Sequence, residues 1–482
     1  MRLAIAQINS TVGNFEGNLS KIKAAVERAK AQNADLLALP NNALTGCPLD
    51  ALATDNRFEA TSRYYFDQLG SLQFPIAMGH NGHAIIITNS NTEACNSIKL
   101  NQEQTMTVVG DSTALPPSTP NTLVIETCST DYPHFLSQNT PSTGCRTIRV
   151  NMVGGNSSHL YPGGSTVYNA IGQPVQQLAL FAEDFALIDT HAIATAQPIP
   201  TSNKPRIAML HDALMMGIRD YMAKSGFTQA ALGLSGGIDS AVVLALLHNA
   251  IGPNNIRVLL MPSQYSSQHS IDDSLAMVRP LGIQHDIVNI APLFDTARQS
   301  LSDIFAGRPE NVAEENIQAR MRGVLLMALS NKFGHIILNT TNKSEAAVGY
   351  GTLYGDTNGA ISVLGDVYKN DVYALARYIN RNGEIIPQNI IDKAPSAELR
   401  PNQKDSDSLP PYDVLDALLY DLIEGGMSSS ELKQKYDSAT VERIVKLVWR
   451  NVYKRAQIPA ALWVSAKPLT AKPLPLVNSW LP

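Results

Sequence analysis

Two α/β domains in series, the second built on a doubly wound parallel sheet, are the architecture expected for this chain. Apolar runs of strand length alternate with segments of helical period through most of the 482 residues, and this alternation is what produces parallel βαβ units. A polar stretch with three prolines, TAQPIPTSNKP at 195–205, interrupts the alternation. The length exceeds one domain at ~100–200 residues each, and the 44% hydrophobic content fills two ordinary cores.

Residues 3–8 (LAIAQI) predict a strand, 19–31 a helix with Ile22, Ala25, Val26 and Ala29 on one face, and Leu36 to Leu39 a second strand. From 84 to 190 the runs AIIIT, TMTVV, TLVIE, TIRVNMV, STVYN and FALID, broken by Gly, Pro, Asn and Ser, predict a large sheet. The first domain is therefore placed at 1–195, a linker at 196–204 and the second domain at 205–482. A helix over 205–224 repeats Ile207, Leu210, Leu214, Ile218 and Tyr221 and stops at Gly226. TQAALGL (228–234) reads as a strand, SGGIDS (235–240) as a glycine turn and AVVLALLHNAIG (241–252) as a helix. Further strands are expected at 256–262, 285–290 and 335–340. From 411 the chain is expected to be helical, with Val441, Ile444, Val445, Val448 and Val452 on one face of a final helix. The proline-rich end shows no pattern.

Lys+Arg 37 against Asp+Glu 42 gives a net charge of -5, so no global attraction draws nucleic acid or an anionic membrane. No run approaches the ~20 apolar residues of a membrane helix, and MRLAIAQINS enters strand alternation without a signal-peptide pattern, which points to the cytoplasm. Cys47, Cys95, Cys128 and Cys145 lack C-x-x-C spacing and are expected to be free thiols.

The chemistry is densest at 233–240. A strand running into Ser235, Gly236 and Gly237 and then a helix presents backbone N–H groups to an anion with no Cβ in the way. No lysine follows the glycines as in G-x-x-x-x-G-K-S/T; Asp239 stands there instead, and an acid among phosphate donors calls for a bridging Mg²⁺.

LGLSGGIDSAVV resembles the pyrophosphatase loop of ligases that cleave ATP to AMP and pyrophosphate, with an adenine nucleotide alpha hydrolase-like fold. MPSQYSSQHSIDD (261–273), ENIQARMRGVLLMALSNKFG (315–334), TTNKSEAAVGYGTLYGD (340–356), KAPSAELRPNQKDSDSLPPYDVLD (393–416) and VYKRAQIP (452–459) narrow the resemblance to glutamine-dependent NAD synthetases. It implies adenylation of deamido-NAD⁺ by ATP with Mg²⁺, then attack by ammonia. It also implies that Gly233, Leu234, Ser235, Gly236, Gly237, Ile238, Asp239, Ser240, Thr340, Lys369 and Ser396 contact ATP. Asp239 and Glu345 would hold the metal, and Asn316, Arg320, Arg322, Glu345 and Lys454 would contact deamido-NAD⁺. Taken singly, Glu345 is also a helix-start cap, and Arg320 or Arg322 a solvated surface group. Thr341 replaces the glycine of the family's T-G-N-K-S-E. A homodimer or larger homo-oligomer is implied as well.

Residues 1–190 resemble the nitrilase-like glutaminase domain, an α/β sandwich, on the strings MRLAIAQINSTVGNFEGNLSKI, ALPNNALTGCPLDAL (38–52) and VNMVGGNSSHLYPGGSTVYNAIGQPV (150–175). Its Glu, Lys and Cys triad is not matched. PNNALTGCP puts Asn41 where the family has its base, and an amide cannot take a thiol proton. VIET (124–127) puts Ile125 where I-C-E-D has the nucleophile, only Lys99 is offered before it, and the stretch up to VNMVGG is short, as if a helical insert were deleted. The expectation is a dead glutaminase domain and an ammonia-using ligase, with a separate ammonia-donor protein as a partner. The rival readings are a relocated nucleophile such as Cys128 and a non-catalytic dinucleotide sensor or scaffold.

Overall fold

The computed structural model describes residues 1–81, 83–88, 91–93, 97–99, 105–110, 122–138, 140–141, 144–200, 204–401, 403–471, 474–477 and 479–482. The chain divides into two compact units, Met1–Pro205 and Arg206–Pro482. Ile199 N–H still donates to Pro174 O in the first unit, so chain expected to be linker is tied to that unit beyond residue 195.

In the first unit two six-stranded sheets lie face to face. One runs in the order Asp184–Asp189, Arg2–Gln7, Leu36–Asn41, Ile76–His80, His83–Thr88, Asn91–Glu93. The other runs Pro174–Gln177, Thr166–Tyr168, Arg146–Asn151, Thr122–Cys128, Thr105–Gly110, Ser97–Lys99. Alternation on the strands builds two cores. Leu37, Leu39, Ile76 and Met78 pack with Ile22 and Val26 of helix Phe15–Ala31 and with Phe66 and Leu69 of helix Asn56–Gly70. Leu3, Ile5, Ala38, Ala77 and Ile86 meet Val108, Leu123, Ile125, Ile148 and Val150 between the sheets. Both faces of Leu36–Asn41 are covered, which is why its sequence is continuously apolar rather than alternating. Helix Phe15–Ala31 starts four residues before the expected 19 because the Asn14 side chain accepts the Gly17 N–H as its cap.

The second unit carries a six-stranded, fully parallel sheet in the order Gln284–Ile287, Ile256–Leu260, Ala230–Gly233, Ile336–Asn339, Ile361–Ser362, Ala460–Ala461. Counted along the chain this is 3-2-1-4-5-6, the doubly wound order, whose direction of winding reverses between Ala230–Gly233 and Ile336–Asn339. Ligands of such sheets bind at that switch point, outside the carboxyl ends of the strands. The expected turn at 235–240 is shorter than the sequence suggests: helix Ile238–Ile251 begins inside it, with Gly237 as N-cap. The final helix likewise ends at Arg450, and Val452 opens a separate four-residue helix, Val452–Arg455.

Candidate functional site

A cavity of about 280 Å³ opens at the switch point. Strand Ala230–Gly233 delivers the SGG loop and strand Ile336–Asn339 delivers the Asn342 to Glu345 turn, so topology brings two distant sequence blocks together. Gly236 takes φ +75, and a Cβ there would lie 2.5 Å from Ser270 O, so the residue must be glycine both for its conformation and for close approach to the next crossover helix, Gln268–Val278. Ser235 and Ser240 brace the loop: Ser240 Oγ donates to Gly237 O at 3.0 Å, and Ser235 Oγ accepts the Gly237 N–H at 3.3 Å. Helix Ile238–Ile251 starts without a side-chain cap, and its first residues, Ile238 to Ser240, line the cavity, as an anion site requires.

Beside this loop, three charged side chains converge. Lys369 Nζ, at the first position of helix Lys369–Ile379, is 2.5 Å from Asp239 Oδ2 and 3.5 Å from Glu345 Oε1. Asn342 Nδ2 donates to Asp239 Oδ1 at 2.9 Å, joining the two loops directly. Burial pushes the Glu345 carboxyl up to about 8, with Asp239 adding to it and Lys369 working against it. Burial opposes the Lys369 charge, yet Asp239 and Glu345 outweigh it and hold its pKa above the ordinary lysine value. Glu345 is a helix-start cap and also faces the charge cluster. Its Oε2 accepts the Asn342 N–H at 3.3 Å in a capping box, while Oε1 faces Lys369.

The residues from Gly233 to Ser240 line this cavity together with Arg322, Thr340, Thr341, Glu345, Lys369 and Ser396. Arg322 Nε donates to Met261 O at 3.0 Å, and burial lowers its pKa. Thr341 has no left-handed φ, so its backbone does not need the glycine that the family string carries. Asn316, Arg320 and Lys454 are not in the lining. They converge instead on residues 349–353: Asn316 Oδ1 accepts from Thr352 Oγ1 at 2.7 Å, Arg320 Nε donates to Leu353 O at 3.3 Å, and Lys454 Nζ donates to Gly349 O and Gly351 O, each at 2.8 Å. The continuation of that loop, Gly355 and Asp356, forms part of the cavity wall. Sequence reasoning missed Asn342, whose side chain bridges to Asp239, and Asp405, which borders the cavity and accepts from Tyr350 and Tyr412. Position within NKSE could have marked Asn342; nothing local marks Asp405.

In the first unit, Asn41 sits at the end of its strand, 3% exposed, and its Nδ2 donates to Ser129 Oγ at 3.2 Å. Ile125, aligned with the family's nucleophile, is fully buried in the inter-sheet core. A Cβ built on Gly79 would lie 2.5 Å from Asn41 Oδ1 and 2.7 Å from Thr127 Oγ1, so Thr127, two residues further along strand Thr122–Cys128, is the side chain that converges with Asn41. Strand alternation turns Cys128 to the opposite face from Thr127, the face that also carries Glu126, which pairs with Arg149 at 2.5 Å. Between that strand and Arg146–Asn151 the described residues hold one helix, the five-residue Tyr132–Leu136, in line with a shortened connection. Lys99 lies in strand Ser97–Lys99, and its side chain falls outside the described residues.

The sequence matches the NAD synthase family over residues 210–458 and the carbon-nitrogen hydrolase family over residues 2–100. A relative from Synechocystis, a glutamine-dependent NAD(+) synthetase, is 45% identical over 322 residues, covering 66% of this chain and 58% of its own length. Relatives of the same name from Acinetobacter baylyi and Thermotoga maritima are each 33% identical, covering 100% and 97% of this chain and 99% and 96% of their own. Among solved structures, glutamine-dependent NAD⁺ synthetase from Acinetobacter baumannii in complex with adenosine diphosphate is similar over 99% of both chains, with TM-score 0.72 and 29% identity.

Proposed function

Because the chain belongs to the NAD synthase family and is a ligase of the NAD synthetase type, we propose that it adenylates deamido-NAD⁺ with ATP and amidates it with free ammonia, its glutaminase function having been lost. The nicotinate carboxylate oxygen attacks the α-phosphorus of ATP and pyrophosphate leaves; ammonia then attacks the acyl carbon and AMP leaves. The loop Gly233–Ser240, with its glycine backbone and open helix N-terminus, holds the triphosphate, aided by Thr340, Lys369 and Ser396. Arg322, buried in the same wall, serves the nucleotide side, whereas Asn316, Arg320 and Lys454 hold deamido-NAD⁺ across the 349–353 loop. Asp239 and Glu345 suit Mg²⁺. Both already share one cation, Lys369 Nζ, and an ion of this kind takes one or two carboxylates. When bound, Mg²⁺ supplies neutralisation of the charge on the departing pyrophosphate.

The observation that carries ammonia over glutamine is the Asn41–Thr127–Ser129 grouping in the first unit. An amide is no base, and a threonine hydroxyl without a base stays protonated, so this grouping forms no acyl-enzyme with glutamine. The relatives' names favour glutamine as donor, and the experiment decides between the two. Purified protein with deamido-NAD⁺, ATP and Mg²⁺ is supplied with ammonium or with ammonia-free glutamine. NAD⁺ from ammonium alone is expected. Equal rates from clean glutamine would restore the glutaminase, and no product from either would favour a dinucleotide sensor. A cytoplasmic homo-oligomer fits this reading, with Val324, Met327 and Phe333 exposed on the helix Val312–Phe333 that also carries Asn316 and Arg320.

A further inference from the structure

Behind the cluster of Asp239, Lys369 and Glu345 lies a second, buried network that the reaction above does not use. Asp416, on helix Tyr412–Ile423 and 6% exposed, accepts from Ser344 Oγ at 2.5 Å and from the Asn370 N–H at 2.8 Å. Ser344, fully buried, accepts the Lys369 N–H on the same Oγ at 3.0 Å. These bonds meet a need of the backbone. The N-cap of helix Lys369–Ile379 is Tyr368, whose side chain makes no cap bond, so the N–H groups of Lys369 and Asn370 are satisfied from two other segments of the chain. A carboxylate is also the favoured partner at the positive end of a helix dipole.

Lys369 is the residue at that helix start, and Glu345 follows Ser344 directly. One carboxylate therefore anchors the backbone next to Lys369 and the side chain next to Glu345, two of the three members of the ion cluster. We propose that Asp416 is a positioning residue of this centre, fixing through Ser344 and the start of helix Lys369–Ile379 the spacing of Glu345 and Lys369 against Asp239. The inference rests on reading the centre as the ATP site. Asparagine keeps the shape of Asp416 but turns a donor toward either the Asn370 N–H or Ser344, and Ser344→Ala deletes the link between Asp416 and Lys369.

The test compares full-length wild type with Asp416→Asn, Ser344→Ala and the double variant at saturating ammonium. Each single change is expected to lower kcat by about 10–100-fold, since a shift of about 1 Å in such a group has that effect, with the KM for deamido-NAD⁺ changed by less than about threefold. The double variant is expected to be no slower than the slower single, because both cut the same chain of bonds. A well-folded Asp416→Asn with wild-type kcat overturns the proposal, as do losses that multiply in the double variant. If Asp416→Asn does not fold, Ser344→Ala alone decides it on the same criterion. The melting shift produced by Mg²⁺ with ATP, read without turnover, separates this inference from the assigned reaction. A wild-type shift with no NAD⁺ formed refutes the synthetase reading; the positioning role then stands if Asp416→Asn shrinks that shift by half or more and falls if the shift is unchanged.

Discussion

Lys369 is 2% exposed at its side chain and lies between two acids, so its removal leaves Asp239 and Glu345, 18% and 16% exposed, without their shared cation. Glu345 already sits at about 8 through burial and its neighbour Asp239; without the cation it holds its proton more firmly. Lys369→Met is therefore expected to cut NAD⁺ formation by about 10³-fold, comparable to losing a preorganised charge at a transition state. Stability should fall by about 3–5 kcal/mol, the usual consequence of breaking a buried pair. Steady-state rates with saturating ammonium and thermal melting measure the two effects. A rate within tenfold of wild type would remove Lys369 from the ATP site.

At the level of elements, the phosphate loop works because one glycine lets a strand turn directly into a helix beside Ser270. Gly236→Ala places a methyl 2.5 Å from Ser270 O in a backbone conformation at φ +75 that alone costs about 1–2 kcal/mol for an L side chain. The loop must shift, so the KM for ATP is expected to rise at least tenfold while the KM for deamido-NAD⁺ stays within about threefold, as for a lost ground-state contact to one substrate. Equal changes in both constants would show that the loop does not hold ATP specifically. The chain end is another element with a job that its sequence conceals. Ala460–Ala461 extends the parallel sheet, Val464 and Ser465 N–H groups donate to Asp366, and the fully buried Lys343 of the NKSE turn reaches Ser465, Glu424 and Asp366. The turn that carries Glu345 is thus held from behind by residues more than a hundred positions away.

For the whole molecule, two compact units with separate cores favour unfolding in two steps. A ligand stabilises only the unit that binds it in its folded form. Calorimetry is expected to show two transitions, with Mg²⁺ and ATP raising the one belonging to Arg206–Pro482 and leaving the other in place. A single transition that moves as a whole would mean that the units unfold together.

Much of this was legible in the residues because the signals were local. The strand, SGG and helix succession, the acids Asp239 and Glu345 in short motifs, and the strand and helix alternation depend on neighbours along the chain, where periodicity and glycine placement act directly. The sequence strings align Ile125 with the family's nucleophile, but which strand residue faces a neighbour depends on register and on which face of the sheet it occupies, and the fold brings Thr127 beside Asn41. Lys369, Asp239 and Glu345 were each named from the sequence, whereas their sharing of one charge cluster follows from the 3-2-1-4-5-6 strand order, and the support from Asp416 and from the chain end appears only once distant segments pack. The sequence by itself determined the elements, the two-domain plan and the chemical types at the site. The tertiary structure alone decided which side chains meet, because hydrogen bonds and ion pairs act over about 3–4 Å in space without regard to separation along the chain.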